Sequence, residues 1–249
     1  MGMSLADIRI VLVRTSHPGN IGACARAMKN MGLSRLSLVA GADECAPDAI
    51  ARAAGADDLL VNAEKHTTLE SALAGCVLVI GSSARERAIA WPALDPAEAA
   101  KQLVTKAEEG AVALVFGAER TGLSNEELDR CQFVVTIPAD PAFSSLNLAA
   151  AVQVLAYEVY RAANARSPGQ ASAPPGARLA TNTELQNYYE HLERVLVAIE
   201  FLDPDNPRKL MRRLTRLYNR AMPDANEINI LRGILTEIER QLQKRSDTA

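Results

Sequence analysis

The sequence is poor in the residues that usually build metal and redox sites. Its 249 residues include three histidines, which are isolated from one another, and four cysteines. The cysteines form no C-x-x-C pair, which argues against a zinc cluster or a redox dithiol. Their wide spacing in a chain of this size also argues against a disulfide framework. We therefore predict a protein without a bound metal; the four cysteines are Cys24, Cys45, Cys76 and Cys131.

The chain also lacks a basic excess and a long apolar run. The formal net charge is −3, so any nucleic-acid binding must come from a local basic patch rather than from the whole surface. No apolar run approaches the roughly 18 residues of a transmembrane helix, and no secretory signal pattern opens the chain. The expectation from these two absences is a soluble, cytoplasmic protein with no membrane partner.

Common nucleotide and nucleophile motifs are missing as well. No G-x-G-x-x-G follows a predicted strand, and there is neither a G-x-x-x-x-G-K-[ST] phosphate loop nor a G-x-S-x-G elbow. The missing glycine fingerprint disfavours a Rossmann-like oxidoreductase, one of the functions open to an α/β protein.

What the sequence does contain is an alternation of strand-like and helix-like segments. Apolar residues make up 48% of the chain, and the run at 8–13 is typical of a strand buried on both faces. Further strands are predicted at 36–39, 58–61, 77–80, 113–116 and 133–137, and helices at 20–31, 68–74, 96–108 and 124–130, with a long one up to about 160. This alternation predicts an α/β fold with a mostly parallel sheet, whose ligands bind at the carboxyl ends of the strands.

The composition changes after residue 165. Residues 166–180 are rich in proline, glycine, alanine and serine, which is typical of a flexible linker. Residues 181–249 show only helical patterns, with helices predicted at about 183–199, 207–221 and 225–243, and Thr183 with Gln186 fits a capping box. The predicted organisation is a domain at 1–165, the linker, and a small all-α extension at 181–249.

Three loops of the first domain carry polar residues at strand ends or helix starts. The segment 17–32 places Arg26 on the helix face opposite the core, near Gly19 and Ala23, where it could grip a phosphate or remain a solvated surface arginine. In 116–128, glycines allow a close-approaching backbone, and Ser124 with Glu127 fits a capping box. In 133–160, Ser144 or Ser145 is predicted to cap the long helix. Each loop alone is also consistent with an ordinary structural turn.

Taken together, the three loops resemble a known family. The motifs N-x-G-x-x-x-R at 20–26, F-G-x-E-x-x-G-L-S at 116–124 and I-P…S-S-L-N-L at 137–148 occur in this order. The set resembles the three signature motifs of the SPOUT methyltransferase superfamily, TrmH-like branch, without a departure at the motif positions. The chain is also similar to the tRNA ribose 2′-O-methyltransferases of this branch. The similarity lies in the segments HPGNIGACARAMKNMG at 17–32 and WPALDP at 91–96 and in the helical tail.

The resemblance implies a fold, a cofactor and an assembly. The sheet would end in a C-terminal trefoil knot, which chain-connection rules alone would not predict. The protein would act as a homodimer and bind S-adenosylmethionine in a bent form. By motif position, the cofactor-binding residues would be Ser82, Ser83, Ala84, Gly117, Ile137, Ser144, Ser145 and Leu146.

The resemblance also implies a reaction and its residues. The expected activity is methylation of a ribose 2′-oxygen in tRNA, at the first nucleotide of the anticodon loop, position 32. The side chain of Arg26 would hold a phosphate and stabilise the forming alkoxide, because a guanidinium is always charged and makes a poor base. A phosphate oxygen or a water molecule would take the proton. The catalytic set implied by the motifs is Arg26, Asn20, Glu119, Ser145 and Asn147.

The tail provides a separate indication of RNA binding. Five basic residues fall within about 100° on the helix after Pro207, and the segment 208–220 contains no acid. Such a stripe on an acidic protein is consistent with local phosphate binding, although a solvated amphipathic helix would look similar. The residues are Lys209, Arg212, Arg213, Arg216 and Arg220. The alternatives within this interpretation are a ribosomal RNA ribose methyltransferase and a non-catalytic RNA-binding protein on the same fold.

Overall fold

The computed structural model describes residues 5–84, 92–165, 178–205 and 207–246. The chain divides into two compact units, with the boundary between residues 171 and 172. Most of the predicted linker, 166–177, and the first residue of the WPALDP segment lie outside the described residues.

The first unit is built on a seven-stranded sheet in which every strand pair is parallel. Its strands are β1 (Ile8–Val13), β2 (Arg35–Val39), β3 (Glu64–His66), β4 (Leu78–Ser82), β5 (Ala93–Leu94), β6 (Val112–Phe116) and β7 (Phe133–Val135). They lie in the order β3-β2-β1-β6-β4-β7-β5, so β1, β6 and β4 form the centre. The predicted α/β class with a mostly parallel sheet is confirmed.

Helices cover the sheet on both faces. After a short 3-10 turn (Leu5–Asp7), the helices of this unit are α1 (Pro18–Asn30), α2 (Pro47–Ala53), α3 (Asp57–Val61), α4 (Leu69–Leu73), α5 (Pro96–Lys106), α6 (Asn125–Leu128) and α7 (Leu148–Ala165). On one face, side chains of α4 and α6 pack with alternate residues of β1, such as Val11 and Val13. Ile10 and Leu12 are equally buried on the other face, and α7 packs against α1 and α5. Five of the six residues at 8–13 are apolar because both faces of the strand are covered, and Arg9 is the exception.

Residues 58–61 correct one sequence prediction. They form the last part of helix α3 rather than a strand. Leu59 and Leu60 are neighbours and both buried, a pattern that a strand covered on both faces would share, so the apolar run alone does not separate the two structures. Asp57 and Asp58 lie in the first turn, where negative charge favours a helix start. The strand of this region is β3, which follows three residues later.

The start of α7 corrects a second prediction. The helix begins at Leu148, and its N-terminal cap is Asn147 rather than Ser144 or Ser145. The Oδ1 atom of Asn147 accepts a hydrogen bond from the Ala149 N–H (2.9 Å). The amide oxygen thereby satisfies one of the backbone donors that a helix start leaves unpaired.

The second unit is helical, as predicted. It contains α8 (Asn182–Ala198), α9 (Leu210–Ala221) and α10 (Ala225–Ser246). The capping box of α8 pairs Thr181 with Glu184, not Thr183 with Gln186, so the helix begins earlier than its sequence pattern indicated. Arg178 contributes to this start, since its Nη2 lies 2.6 Å from the Glu184 carboxylate.

The last residues of the predicted linker belong to this helical unit. The N–H of Ala180 donates to the Pro223 carbonyl (3.1 Å), and the side chain of Ala180 is buried with α8 and α10. The core of the unit includes Tyr188 and Tyr189, and the Tyr189 hydroxyl donates to Asn219 Oδ1 (2.6 Å). No helix among the described residues is long and apolar enough to cross a membrane.

Candidate active site

A cavity opens at the carboxyl ends of three neighbouring strands, β4, β6 and β7. Its walls come from the loops after these strands and from the first turn of α7. This is the edge at which an open parallel sheet binds its ligands. The lining residues are Ser82, Ser83, Ala84, Phe116, Gly117, Ala118, Glu119, Arg120, Thr121, Gly122, Ile137, Ser145, Leu146, Leu148 and Ala151.

Two glycines shape the wall after β6. A Cβ atom built on Gly117 would lie 2.1 Å from the carbonyl carbon of Gly122, so no larger residue fits without moving the backbone. Gly122 has a φ of +65°, a conformation that side chains disfavour. Its N–H donates to the Ala118 carbonyl (2.7 Å) and closes a tight turn. The loop therefore presents backbone, rather than bulky side chains, to the cavity.

Glu119 connects this loop to the turn that precedes α1. Its Oε2 accepts hydrogen bonds from the Ser16 N–H and hydroxyl (both 3.1 Å), and its Oε1 accepts from the His17 N–H (3.2 Å). The side-chain Nδ2 of Asn20 donates to the same Oε1 (2.9 Å). Partial burial raises the pKa of this carboxyl group, but the hydrogen bonds outweigh that effect and bring the pKa down to about 2. Glu119 is therefore ionised at neutral pH and is a very weak base.

Asn147 joins the third motif to the other two. Its Nδ2 donates to Asn20 Oδ1 (3.2 Å), and Asn20 in turn donates to Glu119. Asn20 begins the N-x-G-x-x-x-R motif, Glu119 belongs to the F-G-x-E-x-x-G-L-S motif, and Asn147 belongs to the S-S-L-N-L motif. The three sequence motifs are thus tied together by consecutive side-chain hydrogen bonds beside the cavity.

A second link, between the residue after β1 and helix α6, was not found from the sequence. The guanidinium of Arg14, directly after β1, makes a bidentate ion pair with Glu127. The Oε2 of Glu127 also accepts from the Ser124 N–H (2.6 Å), and Ser124 Oγ accepts from the Glu127 N–H, which confirms the predicted capping box. The capping pattern indicated the role of Glu127 at the helix start, but no local pattern in the sequence points to Arg14.

Arg26 lies on the exposed side of α1, as the helical pattern predicted, while Ile21, Ala25 and Met28 are fully buried. The same face is less open than the sequence indicated. A Cβ atom on Gly19 would meet the side chains of Asp48 and Arg52, so α2 covers that part of the face.

The accessible part of this face lies around Ala23 and Arg26. Within the described ranges, no acidic side chain forms an ion pair with the Arg26 guanidinium. The guanidinium is therefore accessible to an anionic group of a ligand.

The predicted site residues divide into those that line the cavity and those beside it. Seven of the eight residues assigned to the cofactor line the cavity, and so does Glu119; the seven are Ser82, Ser83, Ala84, Gly117, Ile137, Ser145 and Leu146. Ser144 does not line it, and Asn20, Arg26 and Asn147 lie outside the lining. The sequence interpretation did not assign the other seven lining residues to the site. Five of them lie at 116–122, next to the assigned Gly117 and Glu119. The other two are Leu148 and Ala151, whose three-residue spacing on a helix is the signal that could have placed both on one wall.

The cavity suits a ligand with both an apolar ring and charged groups. Ile137, Leu146 and Leu148 supply apolar walls, and strand-end backbone supplies hydrogen-bonding groups. The lining also carries one carboxylate, Glu119, and one guanidinium, Arg120. S-adenosylmethionine combines an adenine, a sulfonium, an ammonium and a carboxylate, so the lining residues match its chemistry.

In the second unit, α9 carries the predicted basic stripe. Lys209, Arg213 and Arg220 are exposed, whereas Arg212 and Arg216 are half-buried. On the opposite side, Leu214 and Tyr218 pack against the helical core. Leu217, by contrast, is 47% exposed and lies at the border of the stripe.

Two parts of the chain match known protein families. Residues 7–157 match the SpoU rRNA Methylase family, and this match covers more than half of the chain. The chain belongs to the SpoU methylase family. Residues 183–247 match a second family, the C-terminal domain of the tRNA methyltransferase TrmJ.

Similarity to TrmJ proteins extends over nearly the whole chain. A tRNA (cytidine/uridine/adenosine-2′-O-)-methyltransferase TrmJ from Pseudomonas aeruginosa is 55% identical, with 98% of this chain and 99% of that protein covered. A tRNA (cytidine/uridine-2′-O-)-methyltransferase TrmJ from Klebsiella pneumoniae is 50% identical, with coverages of 95% and 98%.

Solved structures show the same relationship. The crystal structure of TrmJ from Z. mobilis is 35% identical, has a TM-score of 0.78 and covers 93% of this chain and 98% of its own. An AdoMet-bound rRNA methyltransferase from Sinorhizobium meliloti is 22% identical over 64% of this chain and 57% of its own, with a TM-score of 0.51, which indicates a shared fold.

Proposed function

We propose that this protein transfers a methyl group from S-adenosylmethionine to a ribose 2′-oxygen of tRNA. We assign the target to the first nucleotide of the anticodon loop, position 32. The observation that carries the proposal is the Asn147–Asn20–Glu119 hydrogen-bond chain, which brings three separate motifs to one cavity. The names of the TrmJ relatives support tRNA as the substrate and the 2′-oxygen as the acceptor.

The residues around the cavity would hold the cofactor. Ser82, Ser83, Ala84 and Gly117 would contact it through backbone and small side chains, and Ile137 with Leu146 would enclose the adenine. When bound, S-adenosylmethionine supplies an electrophilic methyl group on a good leaving group, so the reaction requires no metal. Ser145 lines the same cavity, and Ser144 next to it belongs to the proposed cofactor set by motif position.

Glu119 in the lining and the polar residues beside the cavity would position the acceptor. Glu119 uses both oxygens to hold the turn before α1, and a pKa of about 2 disqualifies it as the general base. Asn20 and Asn147 hold the loops in register. The exposed Arg26 would hold a phosphate of the substrate and stabilise the developing negative charge on the 2′-oxygen, since an arginine stays protonated. The 2′-proton would pass to a phosphate oxygen or to water.

The helical unit would supply affinity for tRNA. Its α9 contains four arginines and no acid, and the exposed Arg213 and Arg220 present cations on one face. Lys209 precedes the helix, and Arg212 and Arg216 complete the stripe. In a chain of net charge −3, a localised basic helix can bind phosphates by releasing their counterions without a basic surface overall.

The assembly and the chain path are also part of the proposal. The protein would be a cytoplasmic homodimer, and the chain after β7 would complete a trefoil knot. The exposed Tyr157 and Tyr160 of α7 are 48% and 45% accessible, which is compatible with a subunit contact along this helix. A dimer of the full chain by light scattering, at twice the mass of the 26.7 kDa protomer, would support this assignment, whereas a monomer would refute it.

Mapping of ribose methylation in cells tests the proposed substrate. Mass spectrometry of tRNA and ribosomal RNA from cells with and without this protein should show that one 2′-O-methyl group disappears from the anticodon loop of specific tRNAs. Disappearance of a ribosomal RNA methyl group instead would establish the rRNA alternative. Unchanged methylation in both RNAs, together with preserved tRNA binding, would establish a non-catalytic RNA-binding protein.

A further inference from the structure

The segment 138–144 carries an exposed aromatic residue beside the cavity. The side chain of Phe143 is 83% exposed, the highest fraction among the large apolar side chains in the described ranges. Ile137 precedes the segment, Ser145 follows it, and both line the cavity. Two residues of chain span at most ~7 Å, so the Cα of Phe143 lies within that distance of the Ser145 Cα.

The backbone of this segment is held in place while the ring remains accessible. Asp140 Oδ1 accepts a hydrogen bond from the Ala142 N–H (2.8 Å), and the Asp140 carbonyl accepts from the Phe143 N–H (2.9 Å). Pro138 and Pro141 each fix one backbone dihedral angle. Because the backbone that carries the ring is already restricted, less conformational entropy is lost when a ligand stacks on the ring.

The charge of the segment indicates which part of an RNA it would contact. Residues 138–147 contain one charged residue, Asp140, and no lysine or arginine. A phosphate would find a negative charge there and no cation. A base, by contrast, offers an uncharged face that stacks on aromatic side chains, and bases of single-stranded loops are available for such stacking.

We propose that Phe143 is the stacking platform for the base of the nucleotide whose ribose is methylated. The inference rests on the proposed function, because it requires RNA at the cavity. Arg26 would hold the phosphate, and Phe143 would hold the base, so the ribose between them would be directed towards the cavity. Stacking tolerates every base, and the names of the two TrmJ relatives span cytidine, uridine and adenosine. Phe143 would therefore add affinity without selecting among these bases.

The first test compares variants of the full chain on tRNA. Phe143→Ala should raise the KM for tRNA roughly tenfold with little change in kcat, whereas Phe143→Tyr should behave like the wild type. Val61→Ala, which trims another exposed apolar side chain (76% exposed) on α3, is the matched control and should change neither constant. Phe143→Leu should resemble the alanine variant, because leucine keeps the apolar volume but has no ring.

The second test locates the base. Substrate tRNA lacking the base at the target nucleotide should show the same rise in KM with the wild type, and Phe143→Ala should add no further rise on it. If the rise in KM caused by Phe143→Ala multiplied with the rise caused by the missing base, the two changes would act independently and the assignment would be refuted. So would a change of Phe143→Ala from dimer to monomer in light scattering, since the ring would then be a subunit contact.

A binding readout separates this inference from the proposed function. Fluorescence of 2-aminopurine placed at the target position should fall on binding of the wild type and remain high with Phe143→Ala. If the wild type quenches the probe but transfers no methyl group, the proposed function fails and the stacking contact stands. If it methylates the 2′-oxygen without quenching, the stacking assignment fails alone.

Discussion

Glu119 contributes both to the stability of the fold and to the geometry of the site. Its carboxylate accepts hydrogen bonds from Ser16 and His17, in the turn between β1 and α1, and from Asn20 in the first turn of α1. The same residue lines the cavity. Removal of this carboxylate charge should therefore loosen two of the three motif loops at once.

This connection predicts a pH dependence of folding. The pKa of Glu119 falls from an ordinary 4.5 to about 2 in the folded protein, so its ionised form stabilises the fold. That stabilisation is complete above pH 4.5 and disappears as the pH falls towards 2. The difference in free energy of unfolding between wild type and Glu119→Gln should thus be largest near neutral pH and shrink on acidification.

Denaturant unfolding from pH 7 to pH 3 measures this difference. Glu126→Gln removes an equal charge from an exposed position on the adjacent α6 and serves as the charge-matched control. A difference between wild type and Glu119→Gln that stays constant over this range would contradict the assigned hydrogen-bonded carboxylate.

Substitution of Gly117 by alanine should lower stability for steric reasons, whereas the same substitution at a control position should raise it. Gly117→Ala places a Cβ atom 2.1 Å from backbone of the same loop, so we expect a destabilisation of ~1–3 kcal/mol and weakened cofactor binding. Gly233→Ala in α10 meets no atom within 4 Å and should stabilise the protein by ~0.5–1 kcal/mol, because alanine favours a helix interior. Thermal unfolding with calorimetry of S-adenosylmethionine binding compares the two; equal effects would refute the packing assignment.

Among the secondary-structure elements, α7 begins where the third motif ends. Asn147 has two separate roles there: its oxygen caps the helix, and its N–H₂ group holds Asn20. Asn147→Ala removes both and should cost about 1 kcal/mol of stability in addition to lowering kcat.

The variant Asn147→Asp separates these two roles. A carboxylate caps a helix as well as an amide oxygen does, so stability should be retained. It cannot donate to Asn20 Oδ1, so kcat should still fall. Single-turnover methylation and unfolding curves on the same samples test this; a fully active Asn147→Asp would show that the link to Asn20 is dispensable.

The basic face of α9 predicts a change in salt dependence. Replacing the exposed Arg213 and Arg220 by glutamine should weaken tRNA binding and reduce the slope of log K against log salt by about 0.7–0.9 for each phosphate that the variant no longer neutralises. Arg240→Gln is the control, because Arg240 lies in α10 and its guanidinium is paired with Glu237 of that helix. Filter binding between about 50 and 200 mM salt measures the slopes, and unchanged slopes in the double variant would exclude α9 from the RNA interface.

The sequence predicts an element well when residues close together in the chain determine it, and poorly when tertiary packing does. The buried run of β1 and the Ser124–Glu127 capping box follow from patterns a few residues long, and both were predicted correctly. Residues 58–61 were wrongly predicted as a strand, because a short apolar run does not distinguish a strand from a helix turn. Packing against the rest of the fold favours the helix α3. The Asn147 cap was missed because three polar residues near the helix start compete for that position.

For the molecule as a whole, the cavity was predictable in part. The parallel sheet predicted the edge at which the cavity lies, and motif order predicted most of its lining. The interactions that close it join residues about a hundred positions apart, such as Arg14 with Glu127 and Asn20 with Glu119. Sequence periodicity contains no information on such pairs, because they depend on the strand order that places β1 next to β6.

The central claim is that the full chain methylates one ribose 2′-oxygen of tRNA, with Arg26 at the acceptor. The direct test incubates purified protein with S-adenosylmethionine and two tRNAs that differ only by a 2′-deoxyribose at the first nucleotide of the anticodon loop. We expect one methyl group on the normal tRNA, none on the deoxy substrate, and at least a ~100-fold slower rate with Arg26→Ala at unchanged cofactor affinity. Equal methylation of both tRNAs, or normal turnover by Arg26→Ala, would contradict the proposed reaction.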